Sequence, residues 1–395
     1  PSADPSDSTE GTSHEEESTH MITRRLGVVV AGAMVILSAC SSTPSGAPAG
    51  GSGAVAATGC KVGVSWNNYS QERWKKADEP AMQKAIAAGG GSYIRADAND
   101  KAEQQLTDID SLINQGAKVL IVLAKDDKGI LPAITKAKTA GIPVIAYDRL
   151  IEDDSTFYIT FDNKKVGTLM AQSLLKVQPK GNYAVILGAD TDPNSAFLRS
   201  GMTDAGIPKL NETSPAGVKV VFEKNTDNWD TTNAKNNMEA ALNANANKID
   251  AVLSENDSMA TGVVQALSAV GLKIPVSGQD GDTAALNRVA LGTQTVSVWK
   301  NAFALGETAG SVAVQLCAKT ALTAIKAPGD LPPAAAPASL TATPFTTPGG
   351  KTVQSIILTP TAITKDNVKD TIDAGWATKA AVCAGVPAGS TPACG

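Results

Sequence analysis

From residue 61 onward, short apolar runs alternate with longer stretches in which apolar positions recur every three or four residues. The first pattern predicts buried strands and the second amphipathic helices. Strands are expected at 62–66, 93–96, 119–123, 144–147, 158–161, 184–187, 218–222, 251–254, 276–278, 295–299 and 356–358. Helical patterns fall between most of them, at 101–115, 164–176, 233–243 and 302–317 among others. Strand, helix, strand repeated along a chain builds a parallel sheet covered on both faces, an α/β fold. One core stops growing near ~250–300 residues, so a body running from about 59 to 395 is expected to form two lobes. A shift to Pro, Ala and Thr at 327–350 predicts a surface loop.

The amino-terminal stretch has a different pattern. Residues 1–20 are Ser, Glu, Asp and Thr with little to bury. Met21 is followed by Arg24 and Arg25, an apolar run at 26–38 and the tetrad Leu37-Ser38-Ala39-Cys40. A basic start, a short apolar stretch and a small-residue site read as a secretory signal, too short to span a membrane. The tetrad resembles the bacterial lipobox, which implies lipidation of Cys40. Met21 is then the expected start, with 1–20 upstream of it. The Ser, Gly, Ala, Pro and Thr of 41–57 would form a flexible tether between anchor and body.

The charge balance is −5, without a basic block, which argues against a nucleic-acid partner. Both histidines, His14 and His20, precede the expected cleavage site. A mature chain without histidine cannot perform Ser-His-Asp or Cys-His catalysis and lacks most zinc ligand sets. No metal and no cofactor are expected, although carboxylate-only chemistry stays open. Beyond Cys40 four cysteines remain, Cys60, Cys317, Cys383 and Cys394. An even count in an exported chain suggests two disulfides with three possible connectivities. Cys383 and Cys394 flank a short Gly/Pro-rich segment that one bond would close, leaving Cys60 for Cys317.

Polar residues follow the strands. Asn67-Asn68, Lys125-Asp126, Asp148-Arg149, Asp162-Asn163, Glu255-Asn256-Asp257, Gln279-Asp280 and Lys300 each stand at or near a strand end. In doubly wound sheets the carboxyl edge is where ligands bind. Helix capping by Asp and Asn explains part of this pattern but not Arg149 or Lys300. Four of the five tryptophans adjoin these clusters, notably Trp74 and Trp229. An indole face packs on the C–H face of a sugar while charged groups bond its hydroxyls. Trp376 reads as a core residue.

The segments Glu72-Arg73-Trp74, Ala146-Tyr147-Asp148-Arg149, Phe161-Asp162-Asn163, Asn256-Asp257 and Gly278-Gln279-Asp280-Gly281-Asp282 resemble those of periplasmic D-xylose-binding proteins. That group is a branch of the ribose/galactose-type sugar-binding family, and the similarity runs from about 61 to about 376. The resemblance implies two Rossmann-like lobes joined by a three-strand hinge, the type I periplasmic binding protein fold. It places lobe one at 58–162 plus 283–322 and lobe two at 163–282 plus 351–395. Its ligand contacts would fall on Arg73, Trp74, Lys76, Asp148, Arg149, Asp192, Asn194, Trp229, Asn256, Asp280 and Lys300. Two departures stand out. Asn67 and Asn68 replace carboxylates, and Pro193 interrupts the loop between Asp192 and Asn194.

The expected function is therefore capture of a monosaccharide, with D-xylose the expected ligand, by a monomeric lipid-anchored extracytoplasmic protein without enzymatic activity. Its partner would be the membrane subunits of an ABC transporter. A sugar-sensing lipoprotein serving a receptor or kinase is the alternative within the same class. A glycosidase using Asp148 and Asp280 is disfavoured by their cationic neighbours, Arg149 and Lys300. A repressor effector domain would need a helix-turn-helix in place of the signal.

Overall fold

The computed structural model describes residues 59–328 and 339–395. The expected signal, Cys40 and the tether lie outside them. The chain first lays down β1 (Lys61–Trp66), α1 (Glu79–Ala88), β2 (Ser92–Asp97), α2 (Ala102–Asn114), β3 (Val119–Val122), α3 (Leu131–Thr139), β4 (Val144–Tyr147) and β5 (Thr156–Phe161). It then crosses to a second sheet with α4 (Asn163–Val177), β6 (Gly181–Leu187), α5 (Pro193–Asp204), β7 (Val218–Asn225), α6 (Thr231–Ala244), β8 (Ala251–Ser254), α7 (Asp257–Ala269), β9 (Ser277–Gln279), α8 (Thr283–Leu291) and β10 (Val296–Trp299). The return brings α9 (Ala302–Cys317), β11 (Lys326–Pro328), β12 (Ser339–Thr341), β13 (Thr343–Thr346) and β14 (Thr352–Leu358). A last crossing leads to β15 (Thr361–Ile363), α10 (Lys369–Asp373) and α11 (Lys379–Val382).

Lobe one is a seven-stranded sheet in the order β13-β14-β5-β4-β3-β1-β2, parallel except for β13. Its central strands, VLIV and VIAY, are buried at every position, as expected for a sheet covered on both faces. One core fills the face carrying α1 and α9, another the face carrying α2 and α3. Lobe two orders its strands β7-β6-β8, bridged through Val252 and Val276 to β9-β10-β15. Helices α4 and α5 pack so closely that a Cβ on Gly167 would meet the Leu198 carbonyl at 1.9 Å. The α/β reading and the two sheets match the pattern expected of a type I periplasmic binding protein fold.

The strand pairing moves two of the expected lobe boundaries. The expectation places 283–322 in lobe one, yet β10 within it pairs in parallel with β9 inside lobe two. It places 351–395 in lobe two, yet β14 runs parallel to β5 in lobe one. The chain crosses at 161–163, 299–302 and 358–361. The 327–350 segment is not all loop, because β12 pairs with β11 and β13 extends the lobe-one sheet.

Candidate functional site

The carboxyl ends of both sheets face one cavity of about 290 Å³ of empty space. Lobe one contributes Gln71, Arg73 and Trp74 from the segment after β1, with Asp148 and Arg149 directly after β4. Lobe two contributes Asp192 and Asn194 after β6, Trp229 after β7, Asn256 after β8, and Gln279 and Asp280 at the end of β9. Lys300 follows β10 at a crossing. In lobe two the lining falls at the strand-order reversal, after β6 and β8, and in lobe one it follows β1 and β4.

Local structure explains how these side chains are aimed. Asp192 caps α5, accepting from the Asn194 amide, and Pro193 takes the first helical position, where proline suits the turn. The proline therefore starts a helix rather than interrupting a loop. Asn256 caps α7 by accepting from Met259. These residues cap helices and line the cavity at once. Asp148, Trp229 and Asp280 have positive φ, of 60°, 56° and 97°. Non-glycine residues persist there only when their surroundings hold them. Trp229 is held by Gly188, where a Cβ would come within 2.2 Å of the indole, and its Nε1 donates to Asp192 at 3.2 Å.

Charge is paired across the cleft. Arg73 Nη1 lies 3.1 Å from Asp148 and 3.3 Å from Asp280, and Lys300 Nζ lies 3.4 and 3.7 Å from the same two carboxylates. Arg149 Nε is 2.8 Å from Asp192. Burial opposes ionisation of Asp148, but Lys300, Arg73 and Arg149 outweigh it and bring its carboxyl down to about 2. Burial raises Asp192, and Arg149 offsets that only in part. Three buried polar atoms of the lining, Asp148 Oδ2, Arg149 Nε and Gln279 Oε1, have no hydrogen-bond partner of good geometry. The first two are ion-paired all the same, Asp148 with Arg73 and Lys300 and Arg149 with Asp192, which leaves Gln279 Oε1 as the unengaged atom of the three.

Ten of the eleven residues expected to touch a ligand line this cavity. The exception is Lys76, whose Nζ bonds Glu72 and Thr283 at 2.9 Å each and lies over the Trp376 ring. Gln71 and Gln279 are not among the expected contacts, Gln279 standing only among the polar strand ends. Neutral amides carry no charge signal, although both flank residues that did. Asn67 and Asn68 are buried outside the lining, Asn68 bonding Asp100. Trp376 is buried in a carboxyl-terminal core, its Nε1 donating to Gly281. Disulfides join Cys60 to Cys317 and Cys383 to Cys394. Among the described residues no group of three or more His, Cys, Asp or Glu side chains is placed to hold a metal ion.

Two α/β lobes that close a small, charged cavity between their strand ends define a hinge-bending solute receptor. The chain belongs to the periplasmic binding protein domain family, which it matches over residues 62–321. It is 38% identical to the D-xylose-binding periplasmic protein of Escherichia coli (strain K12) over 315 residues, 79% of this chain and 89% of that relative. A D-xylose-binding periplasmic protein of Haemophilus influenzae is 35% identical over 315 residues, again 79% of this chain and 88% of the relative. Among solved structures, an ABC transporter solute binding protein from Clostridium phytofermentans with bound beta-D-glucose superposes with a TM-score of 0.67 at 28% identity. It covers 82% of this chain and 99% of that one.

Proposed function

We propose that this protein binds a monosaccharide, D-xylose, between its lobes and delivers it to an ABC transporter on the extracytoplasmic side of the membrane. The observation that carries this reading is the cavity itself, in which Trp74 and Trp229 accompany paired cations and carboxylates and the unengaged Gln279 Oε1. Aromatic faces and charge-assisted hydrogen bonds are the combination a sugar needs. The names of the relatives from Escherichia coli and Haemophilus influenzae support D-xylose over other monosaccharides. A glycosidase using Asp148 as its acid is disfavoured, because that acid must be held protonated and Asp148 sits at about 2. A membrane anchor at Cys40 completes the proposal.

Calorimetry of the mature chain against xylose, ribose, arabinose, glucose and myo-inositol tests it. Xylose should bind most tightly. Asp280→Asn, which turns one acceptor into a donor, should weaken it by about 1.5–3 kcal/mol. Trp229 also belongs to a lobe-two core, so Trp229→Phe is the informative change. It should retain most of the affinity, whereas Trp229→Ala should lose both affinity and melting temperature. No heat and no thermal shift with any of these sugars would remove the sugar reading.

A further inference from the structure

We propose that Asp78 and Tyr147, which lie outside the cavity, are positioning residues that fix how Arg73 presents itself to the ligand. The proposal rests on the sugar-binding reading of the cavity. Arg73 is buried, and its fork is engaged from behind. Nε donates to Asp78 Oδ2 at 3.1 Å and Nη2 to Asp78 Oδ1 at 2.8 Å. This two-bond pairing fixes the guanidinium plane, which lies 4.3 Å over the Trp74 ring. Nη1 is thereby the nitrogen turned toward Asp148 and Asp280. Tyr147 donates its hydroxyl to the same Asp78 Oδ1 that receives Nη2. Asp78 and Tyr147 are fully buried, and neither lines the cavity.

The arrangement has a chemical purpose. An unrestrained guanidinium beside two carboxylates would turn its fork onto one of them and occupy both of its oxygens. Asp78 takes that fork, so Arg73 reaches Asp148 and Asp280 through a single nitrogen, beside Lys300, and does not occupy both oxygens of either. Tyr147 is the last residue of β4, immediately before Asp148, so one strand end carries both the brace and the carboxylate. Burial works against the charge of Arg73, but Asp78, Asp148 and Asp280 more than offset it, and the group stays cationic.

The test measures monosaccharide affinity by calorimetry in Asp78→Asn and Tyr147→Phe, each in the wild-type and in the Arg73→Lys background. A lysine cannot make the two-bond pairing. Asp78→Asn should weaken xylose binding roughly 10–100-fold and Tyr147→Phe roughly 3–10-fold, the scale of charged and neutral hydrogen bonds. In the Arg73→Lys background neither should lower affinity further, because the brace then has nothing to hold. Equal losses in both backgrounds, or no loss in either, would overturn the proposal. If Asp78→Asn does not fold, Tyr147→Phe in the two backgrounds decides. A second readout needs no ligand: the Arg73 Nε–H resonance should be protected from solvent exchange in the wild type and lose that protection in Asp78→Asn. Protection unchanged in that variant counts against the proposal. A wild type that binds no monosaccharide sinks the sugar reading, while this resonance still decides the positioning.

Discussion

Glu255 should make the protein less stable as pH rises through neutrality. Its carboxyl is fully buried beside Asn256, with Oε2 accepting from the Gly188 amide at 2.7 Å and from Ser195 Oγ at 2.6 Å. Its Oε1 has no partner. Burial pushes the group from 4.5 to about 8; the two hydrogen bonds work against this, Asp192 adds to it, and Arg199 relieves it slightly. The folded chain therefore keeps a proton that the unfolded chain releases near 4.5. Stability from this group is fully present below that pH and is lost as pH rises toward 8. Each pH unit in between is worth about 1.4 kcal/mol, giving an upper bound of about 5 kcal/mol across the window. Glu255→Gln keeps an acceptor for Gly188 and Ser195 and removes the ionisation. The variant should match the wild type near pH 4.5 and gain about 4 kcal/mol on it by pH 8.5. Asp257, also raised by burial, to about 7, slopes the same way, but its contribution cancels in the difference. Urea unfolding of the oxidised protein at pH 5, 7 and 8.5 measures this, with unchanged m-values as the control. A difference that does not vary with pH would show that Glu255 is ionised in the fold and refute the reasoning.

The Cys60–Cys317 bond closes a separation of 257 residues and ties the start of β1 to the end of α9. Replacing both cysteines by Ala should cost about 2–5 kcal/mol in chemical denaturation. The Cys383–Cys394 bond spans only 11 residues, and its loss should cost less; the reverse order would contradict a chain-entropy origin. Glu72 bridges the lobes by accepting from Thr283 N and Oγ1 at 3.1 and 2.7 Å, at the first residue of α8. Burial opposes its charge, yet Lys76 and Thr283 hold its carboxyl below the ordinary range. Because this contact favours closure, Glu72→Gln should weaken ligand binding about 3–10-fold at low ionic strength and less at high salt. An unchanged affinity at low salt would show that the bridge does not contribute to closing.

How much of this was legible depends on what kind of signal each feature leaves in the chain. The eleven strands read from the sequence are all present because most are buried on both faces and their apolar runs are nearly unbroken. The same property hid which sheet each late strand joins, since VSVW of β10 and TVQSIIL of β14 look alike yet sit in different lobes. Pairing with a distant strand, as β14 does with β5, leaves no local period. The strained turns at Asp148 and Asp280 were legible through their charge, and the braces behind them were not.

Lys76 and Asp78 show the physical reason most directly. On an ordinary helix Lys76, three residues after Arg73, would share its face. Residues Trp74–Asp78 instead form a π-helical turn, closed by the Glu79 amide donating to the Trp74 carbonyl five residues back. The wider turn carries Lys76 out toward α8 and brings Asp78, five residues after Arg73, onto its guanidinium. Such turns are rare and are frequently found at functional sites. A lysine that looked like a ligand contact thus became part of an inter-lobe bridge. Asp78, which left no signal in the sequence, is the partner that holds the Arg73 guanidinium.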